Sequence, residues 1–153
     1  MKIKLDPGAT LPTRAHYTDA GLDLYSMEEK TIMPRHISYT ELQSGKAKLL
    51  PMGETFDTGV HMEIPKGYFG KLESRSGLNV KHHVVSCGGV IDSGYTGSIK
   101  VKLYNFGSEP YIVHKGDKIC QIIIQPCLCD ALQVVDELEE TERGENGFGS
   151  TGA

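Results

Sequence analysis

At 153 residues and 16.8 kDa the chain has the size of one ordinary domain, and surface scaling at that mass buries about two-thirds of the unfolded surface, enough for a core without disulfides or metal. Apolar side chains make up 39% and Gly adds 18 residues, which excludes disorder of the whole chain. A net charge of -4 argues against a passive binder of nucleic-acid backbone, which carries a basic surplus, and no apolar run approaches the length that spans a membrane.

The opening MKIKLDPGAT has no apolar stretch before Asp6 and Pro7 and does not read as a secretory signal. Four cysteines, Cys87, Cys120, Cys127 and Cys129, then read as reduced thiols of a soluble, cytoplasmic protein. Cys127 and Cys129 have a C-x-C spacing that matches no common zinc pattern. Short alternating runs separated by Gly and Pro predict strands over Phe56 to Ile64, Tyr68 to Glu73, His83 to Cys87, Ile99 to Leu103, Tyr111 to His114, Lys118 to Gln125 and Leu132 to Asp136. Only Arg75 to Val80 carries a short helical pattern. The class that follows is all-β, a sandwich or jelly roll. The Ser38 to Leu50 segment matches no motif and reads as a surface loop. From Glu137 the chain turns acidic and then Gly-rich, which predicts a folded domain over 1–136 and a mobile C-terminal arm over 137–153.

Five segments carry candidate chemistry. Asp23, in Ala20-Gly21-Leu22-Asp23-Leu24, either holds a turn or serves a site. In Ser74-Arg75-Ser76-Gly77-Leu78, a guanidinium, a hydroxyl and a Gly suit an anion, while the competing reading is a surface helix with a Ser cap. Gly89-Val90-Ile91-Asp92-Ser93-Gly94-Tyr95-Thr96-Gly97 lies between strand-like runs and predicts a hairpin with a carboxylate and a ring at its mouth, or a plain hairpin with a turn Asp. Lys115-Gly116-Asp117-Lys118-Ile119-Cys120-Gln121-Ile122 joins a turn signal to Gln121, a polar residue in an apolar strand that must find partners. The end, from Arg143 through Phe148-Gly149-Ser150-Thr151, offers a cation, a planar ring and Gly-rich backbone beside hydroxyls, the means by which phosphates are cradled.

In this order and at these separations the five segments resemble the homotrimeric dUTPase family, over about Asp19 to Ala153 and including Asp57-Thr58-Gly59-Val60 and Ile64-Pro65-Lys66-Gly67-Tyr68. The resemblance implies a jelly roll that hydrolyses dUTP to dUMP and pyrophosphate with Mg²⁺, keeping uracil out of DNA and supplying dUMP for thymidylate synthesis. It implies that Asp92 bonds the sugar 3′-OH and orients the attacking water. Tyr95 would pack beneath the deoxyribose, and hairpin backbone at Gly89, Val90, Ile91 and Lys100 would read the uracil edge. Arg75, Ser76 and Gly77 would hold phosphates, Gln121 would line the α-phosphate, and Asp23 would support Mg²⁺ through its water shell. Arg143, Gly149, Ser150 and Thr151 would close over the phosphates, with Phe148 stacked on uracil. The implied partners are dUTP and two further copies of the chain, with active sites shared between subunits, and neither nucleic acid nor membrane. Gly94, Ser86 and Ser74 depart from residues common in the family, where Asp, Asn and Pro often stand. A dCTP deaminase, which shares the superfamily fold, and a nucleotide-sensing jelly roll are the competing functions.

Overall fold

The computed structural model describes residues 1–34, 43 and 53–144. Apart from Gln43, the Ser38 to Leu50 segment lies outside the described residues, as do Phe148, Gly149, Ser150 and Thr151. The described chain is all-β with one short helix. Its elements are β1 (Lys2–Leu5), β2 (Leu22–Tyr25), β3 (Lys30–Ile32), β4 (Glu54–Asp57), β5 (Val60–Glu63), β6 (Tyr68–Glu73), α1 (Ser76–His82), β7 (Val84–Ser86), β8 (Val90–Ile91), β9 (Lys100–Asn105), β10 (Tyr111–Val113) and β11 (Lys118–Pro126). Antiparallel pairing arranges them as β2-β11-β6-β8, β4-β9-β7, β1-β5 and β10-β3, the layered sheets of a jelly-roll-like body.

Alternation explains the core. On β9, Val101, Leu103 and Asn105 point inward while Lys100 and Lys102 stay exposed. Val101 and Leu103 join Phe56, Leu24, Leu72, Val84, Ile99 and Ile122 in one apolar cluster. β11 breaks the alternation, burying Ile119 and Cys120 in succession, because its register against β2 slips between Lys118 and Cys120. Gly70 on β6 leaves room for core side chains: a Cβ there would sit 2.6 Å from Ile122 Cδ1 and 3.0 Å from Ile64 Cδ1, so both would have to repack. Among the described residues no helix is long and apolar enough to cross a membrane.

The structure corrects the expected elements in three places. The run Phe56 to Ile64 is two strands, not one, because Asp57-Thr58-Gly59 turns a corner between sheets; Gly59 takes φ +63° and donates its N–H to Asp57 Oδ1 at 2.9 Å. Leu132 to Asp136 alternates like a strand but finds no ladder among the described residues, where Leu132 and Val134 are almost fully exposed. The helix runs from Ser76 to His82, and its cap is Arg75, with no side-chain capping bond, rather than a Ser.

Asn105 is the buried polar residue that closes the end of β9. Its Nδ2 donates to Ile32 O at 3.0 Å and Glu109 O at 2.8 Å, and its Oδ1 accepts from Gly107 N at 2.9 Å. Asn105→Leu strands these three backbone groups, and we expect a loss of about 2 kcal/mol or more in denaturant unfolding.

Candidate active site

The segment around Asp92 is a forked ribbon rather than a simple hairpin. Its base is zipped: Val84 pairs with Asn105, Val85 with Tyr104, Ser86 with Leu103, and Cys87 N–H reaches Lys102 O at 3.3 Å. Beyond Cys87 the two arms part. β8 turns to β6, pairing Val90 with Lys71 and Ile91 with Gly70, while Gly89 O accepts from Leu72 N at 3.0 Å. β9 instead joins β4, pairing Lys100 with Asp57 and Val101 with Phe56. No ladder joins β8 to β9, so the backbone edges of the Gly89–Ile91 arm and the Lys100 arm are not spent on each other. A planar base with donors and acceptors along one edge is the kind of ligand that satisfies both arms.

Asp92 and Tyr95 sit in the loop that joins these arms, both exposed. The loop is pinned from several sides. Tyr95 N–H donates to Asp92 O at 3.0 Å. The Tyr95 hydroxyl donates to Ser98 O at 2.9 Å, and the ring lies against Gly97, where a Cβ would meet its oxygen at 2.4 Å. Ser98 hydroxyl bonds Asp57, and Thr58 hydroxyl donates to Ile99 O at 2.7 Å. Burial alone would raise the Asp57 carboxyl, but hydrogen bonds from Ser98 and Gly59 and the nearby Lys100 charge hold it below the ordinary carboxylate range. Asp57 therefore stays ionised at neutral pH, and this clamp weakens only as acid protonates it. His61 holds the same loop at Thr96, with Nδ1 2.8 Å from the carbonyl oxygen. Gly94 has no positive φ and its Cβ direction is open, so the Asp common there in the family would also fit.

The second group of candidates lies where β2, β11 and β6 come together. Asp23 pairs across with Gln121, which pairs in turn with Glu73, the residue before Ser74 and Arg75. Asp23 Oδ1 takes Arg75 Nε at 2.9 Å and its Oδ2 takes Lys118 Nζ at 2.8 Å. The hydrogen bond and charge of Asp23 push the Lys118 ammonium pKa up, so it stays protonated. Gln121 lies over Gly21, whose missing Cβ makes room for it, and donates from Nε2 to Ser74 O at 3.2 Å. Arg75 is thereby aimed by a carboxylate, and the N–H groups of Ser76 and Gly77 precede the first intrahelical bond, Asn79 N to Arg75 O. Two departures from the family pattern prove to be partners. Ser74 Oγ donates to Ser86 O at 3.0 Å and accepts from Ser86 N at 2.9 Å, tying the Arg75 segment to the ribbon base.

The structure thus gathers Asp23, Arg75 and Gln121, and separately Gly89, Val90, Ile91, Asp92, Tyr95 and Lys100. It does not bring the two groups together within one chain. Gln121 faces Glu73 at one end of β6, whereas the β8 register carries Asp92 to the Phe69 end. Strand geometry puts about 13 Å along β6 and about 10 Å across it between them, roughly 16 Å in all. Arg143 is exposed near the last described residue. Sequence reading missed Lys118 as the second cation on Asp23, and Asp57, Thr58 and His61 as supports of the Asp92 loop. Asp57-Thr58-Gly59 enters the sequence reading only inside the Phe56 to Ile64 strand and the family resemblance, neither as a turn nor as a support.

An all-β body with a forked ribbon at one sheet end and an oriented guanidinium at the other defines a jelly-roll-like protein. Within that class the chain belongs to the dUTPase family, whose model matches residues 8–152. It is 42% identical over 151 residues to the deoxyuridine 5′-triphosphate nucleotidohydrolase of Clostridium novyi, an alignment covering 97% of this chain and 95% of that protein. The dUTPase of Staphylococcus bacteriophage 80alpha, solved with dUpNHpp, superposes with a TM-score of 0.80 at 31% identity over 99% of this chain and 98% of that one. A variant dUTPase of phage phi11 of S. aureus, solved for its coordination of a structural Mg(II) ion, gives 0.75 at 28% identity over 91% and 98%.

Proposed function

We propose that the chain acts as a dUTP diphosphatase, hydrolysing dUTP to dUMP and pyrophosphate in an active site shared between three copies. The observation that carries this reading is the separation of Asp92 from Arg75 and Gln121. Water orientation by Asp92 and α-phosphate contact by Gln121 serve one phosphorus atom, yet in one chain the two lie roughly 16 Å apart. A ring of copies that sets the ribbon of one protomer against the Arg75 node of the next closes that gap. Almost fully exposed Leu132 and Val134, with Leu128 and Leu138 beside them, supply apolar surface for such contacts.

In this site the arms at Gly89, Val90, Ile91 and Lys100 read the uracil edge. Their fixed backbone sets donors and acceptors for O4 and N3–H, which mismatch the amine of cytosine. Tyr95, its ring locked by Ser98 and Gly97, lies under the deoxyribose and leaves no room for a 2′-OH. Asp92 holds the 3′-OH and orients water in line with the α-phosphorus. Arg75, Ser76, Gly77 and Gln121 take the phosphates. Residues 137–153 form an arm that brings Arg143, Phe148, Gly149, Ser150 and Thr151 over the bound nucleotide.

Among the described residues no cluster of His, Cys, Asp and Glu forms a metal cage, and both Asp23 oxygens already face cations. That donor set fits an Mg²⁺ ion carried in on the phosphates with its waters, which Asp23 would touch only through those waters. Bound there, the ion neutralises charge on the phosphate oxygens. The proposal places the chain in the cytoplasm, where it would keep uracil out of DNA and supply dUMP for thymidylate synthesis.

Hydrolysis in ¹⁸O-labelled water tests the point of attack: the label should enter dUMP, and label in pyrophosphate would overturn attack at the α-phosphorus. Tyr95→Ala should erode the preference for dUTP over UTP, read as the ratio of kcat/KM values. An unchanged ratio means another group reads the sugar.

A further inference from the structure

The loop that carries Asp92 and Tyr95 has supports of two kinds. Asp57, Thr58 and Ser98 hold its C-terminal side through groups that stay in one charge state near neutral pH. His61 holds Thr96 through a ring whose charge state changes there. His61 lies on β5, opposite Lys4 of β1, and its side chain is largely enclosed between β1, the Asp6 turn and the loop. Both of its nitrogens face oxygen. Nδ1 is 2.8 Å from Thr96 O, and Nε2 is 3.1 Å from Asp6 Oδ2, at an angle too bent for a full hydrogen bond. Nε2 is shut off from water. A neutral imidazole carries one N–H, so it can serve the carbonyl or the carboxylate and must turn a lone pair on the other. Only the imidazolium presents an N–H to each, a hydrogen bond to Thr96 and an ion pair to Asp6.

We propose that the His61 imidazolium is a positioning residue for the dUTP site, a proton-dependent strut that ties the Asp92–Thr96 loop to the N-terminal segment and makes nucleotide affinity fall as it deprotonates. This rests on the reading of that loop as the sugar- and water-binding element. The groups that face the ring from the packed elements are Asp6, Lys4 and the Thr96 carbonyl. The hydrogen bond to Thr96 and the Asp6 carboxylate favour the proton, whereas burial of the ring and, less, Lys4, 3.9 Å from Asp6, oppose it. The balance raises the His61 pKa above its ordinary value. The sign follows: the strut is complete below the ordinary histidine range and is lost as pH rises through the elevated folded value. Ser93 and Gly94 line a shallow depression with Met1, Lys2, Glu63 and Pro65, so space lies beside the loop on its β1 and β5 side. Nucleotide re-forms the loop on binding, and the cost appears in KM rather than kcat.

The test is a pH profile of KM and kcat for dUTP with three variants. Wild-type KM should climb about tenfold across the His61 titration with kcat little changed. His61→Leu should show the high KM at every pH. His61→Asn keeps a donor within reach of Thr96 but does not titrate; it should recover most of the lost affinity and flatten the profile. Asp6→Asn should move the rise to lower pH. A rise that persists in His61→Asn, or no rise in the wild type, overturns the proposal. Two readouts need no substrate: the His61 ring should titrate above the ordinary range by NMR, and the protection of the Thr96 and Gly97 amides, relative to their intrinsic exchange rate at each pH, should fall through that titration. If dUTP is not turned over but both are seen, the strut stands and the assigned reaction fails; a ring that titrates at or below the ordinary range removes the strut itself.

Discussion

Asp92→Asn should lower kcat for dUTP by roughly 100-fold or more, with KM nearly unchanged and no loss of thermal stability. Asp92 is exposed, and the loop that bears it is held by Tyr95, Ser98, Asp57, Thr58 and His61. Asn has the same shape, still accepts a hydrogen bond, and burdens none of those supports. What it loses is the charge that holds water with its lone pair toward phosphorus. A carboxylate is a weak base toward water, so orientation supplies most of the effect. Wild-type turnover by a well-folded Asp92→Asn protein would remove Asp92 from the chemistry.

Subunit mixing carries the second large effect. Asp92→Asn and Arg75→Ala chains should each be nearly inactive. Combined in equal amounts and allowed to reassort, they should regain about a quarter of wild-type activity in a closed three-fold ring. A working site needs its loop from an Arg75→Ala chain and its guanidinium from an Asp92→Asn chain, each with a chance of one half. A site built within one chain never receives both intact parts, and the mixture would stay dead. The roughly 16 Å between the two groups in one protomer makes recovery the expected result. Absence of recovery, with exchange confirmed by native mass, would reject the shared site.

Much of the fold is legible because burial leaves a period of two in the sequence. Tyr68 to Glu73 forms a strand with the expected bounds, and Ile99 to Leu103 is buried on alternate residues as its pattern implies. What alternation cannot supply is the partner. The fork of the ribbon depends on β8 choosing β6 and β9 choosing β4, a competition between long-range ladders that no local pattern records. Leu132 to Asp136 shows the reverse case: the pattern is present, but a strand needs a neighbour and none pairs with it among the described residues. At the site, residues with motif identity were found and their supports were not. Ser74 and Ser86 stand out singly as departures, and only the structure shows them bonded to each other. His61 gives no signal at all, because a histidine in an alternating strand looks like any half-buried polar residue until Asp6 and Thr96 converge on it.

The most direct measurement is pyrophosphate release from dUTP, dTTP, dCTP and UTP in turn, with Mg²⁺ present and ammonia followed in parallel. The ribbon arms, Tyr95 and Asp92 together predict rapid release from dUTP, with dUMP as the other product, and turnover of the remaining three lower by orders of magnitude. Ammonia from dCTP, equal turnover of dTTP and dUTP, or tight dUTP binding without any pyrophosphate would contradict the assignment.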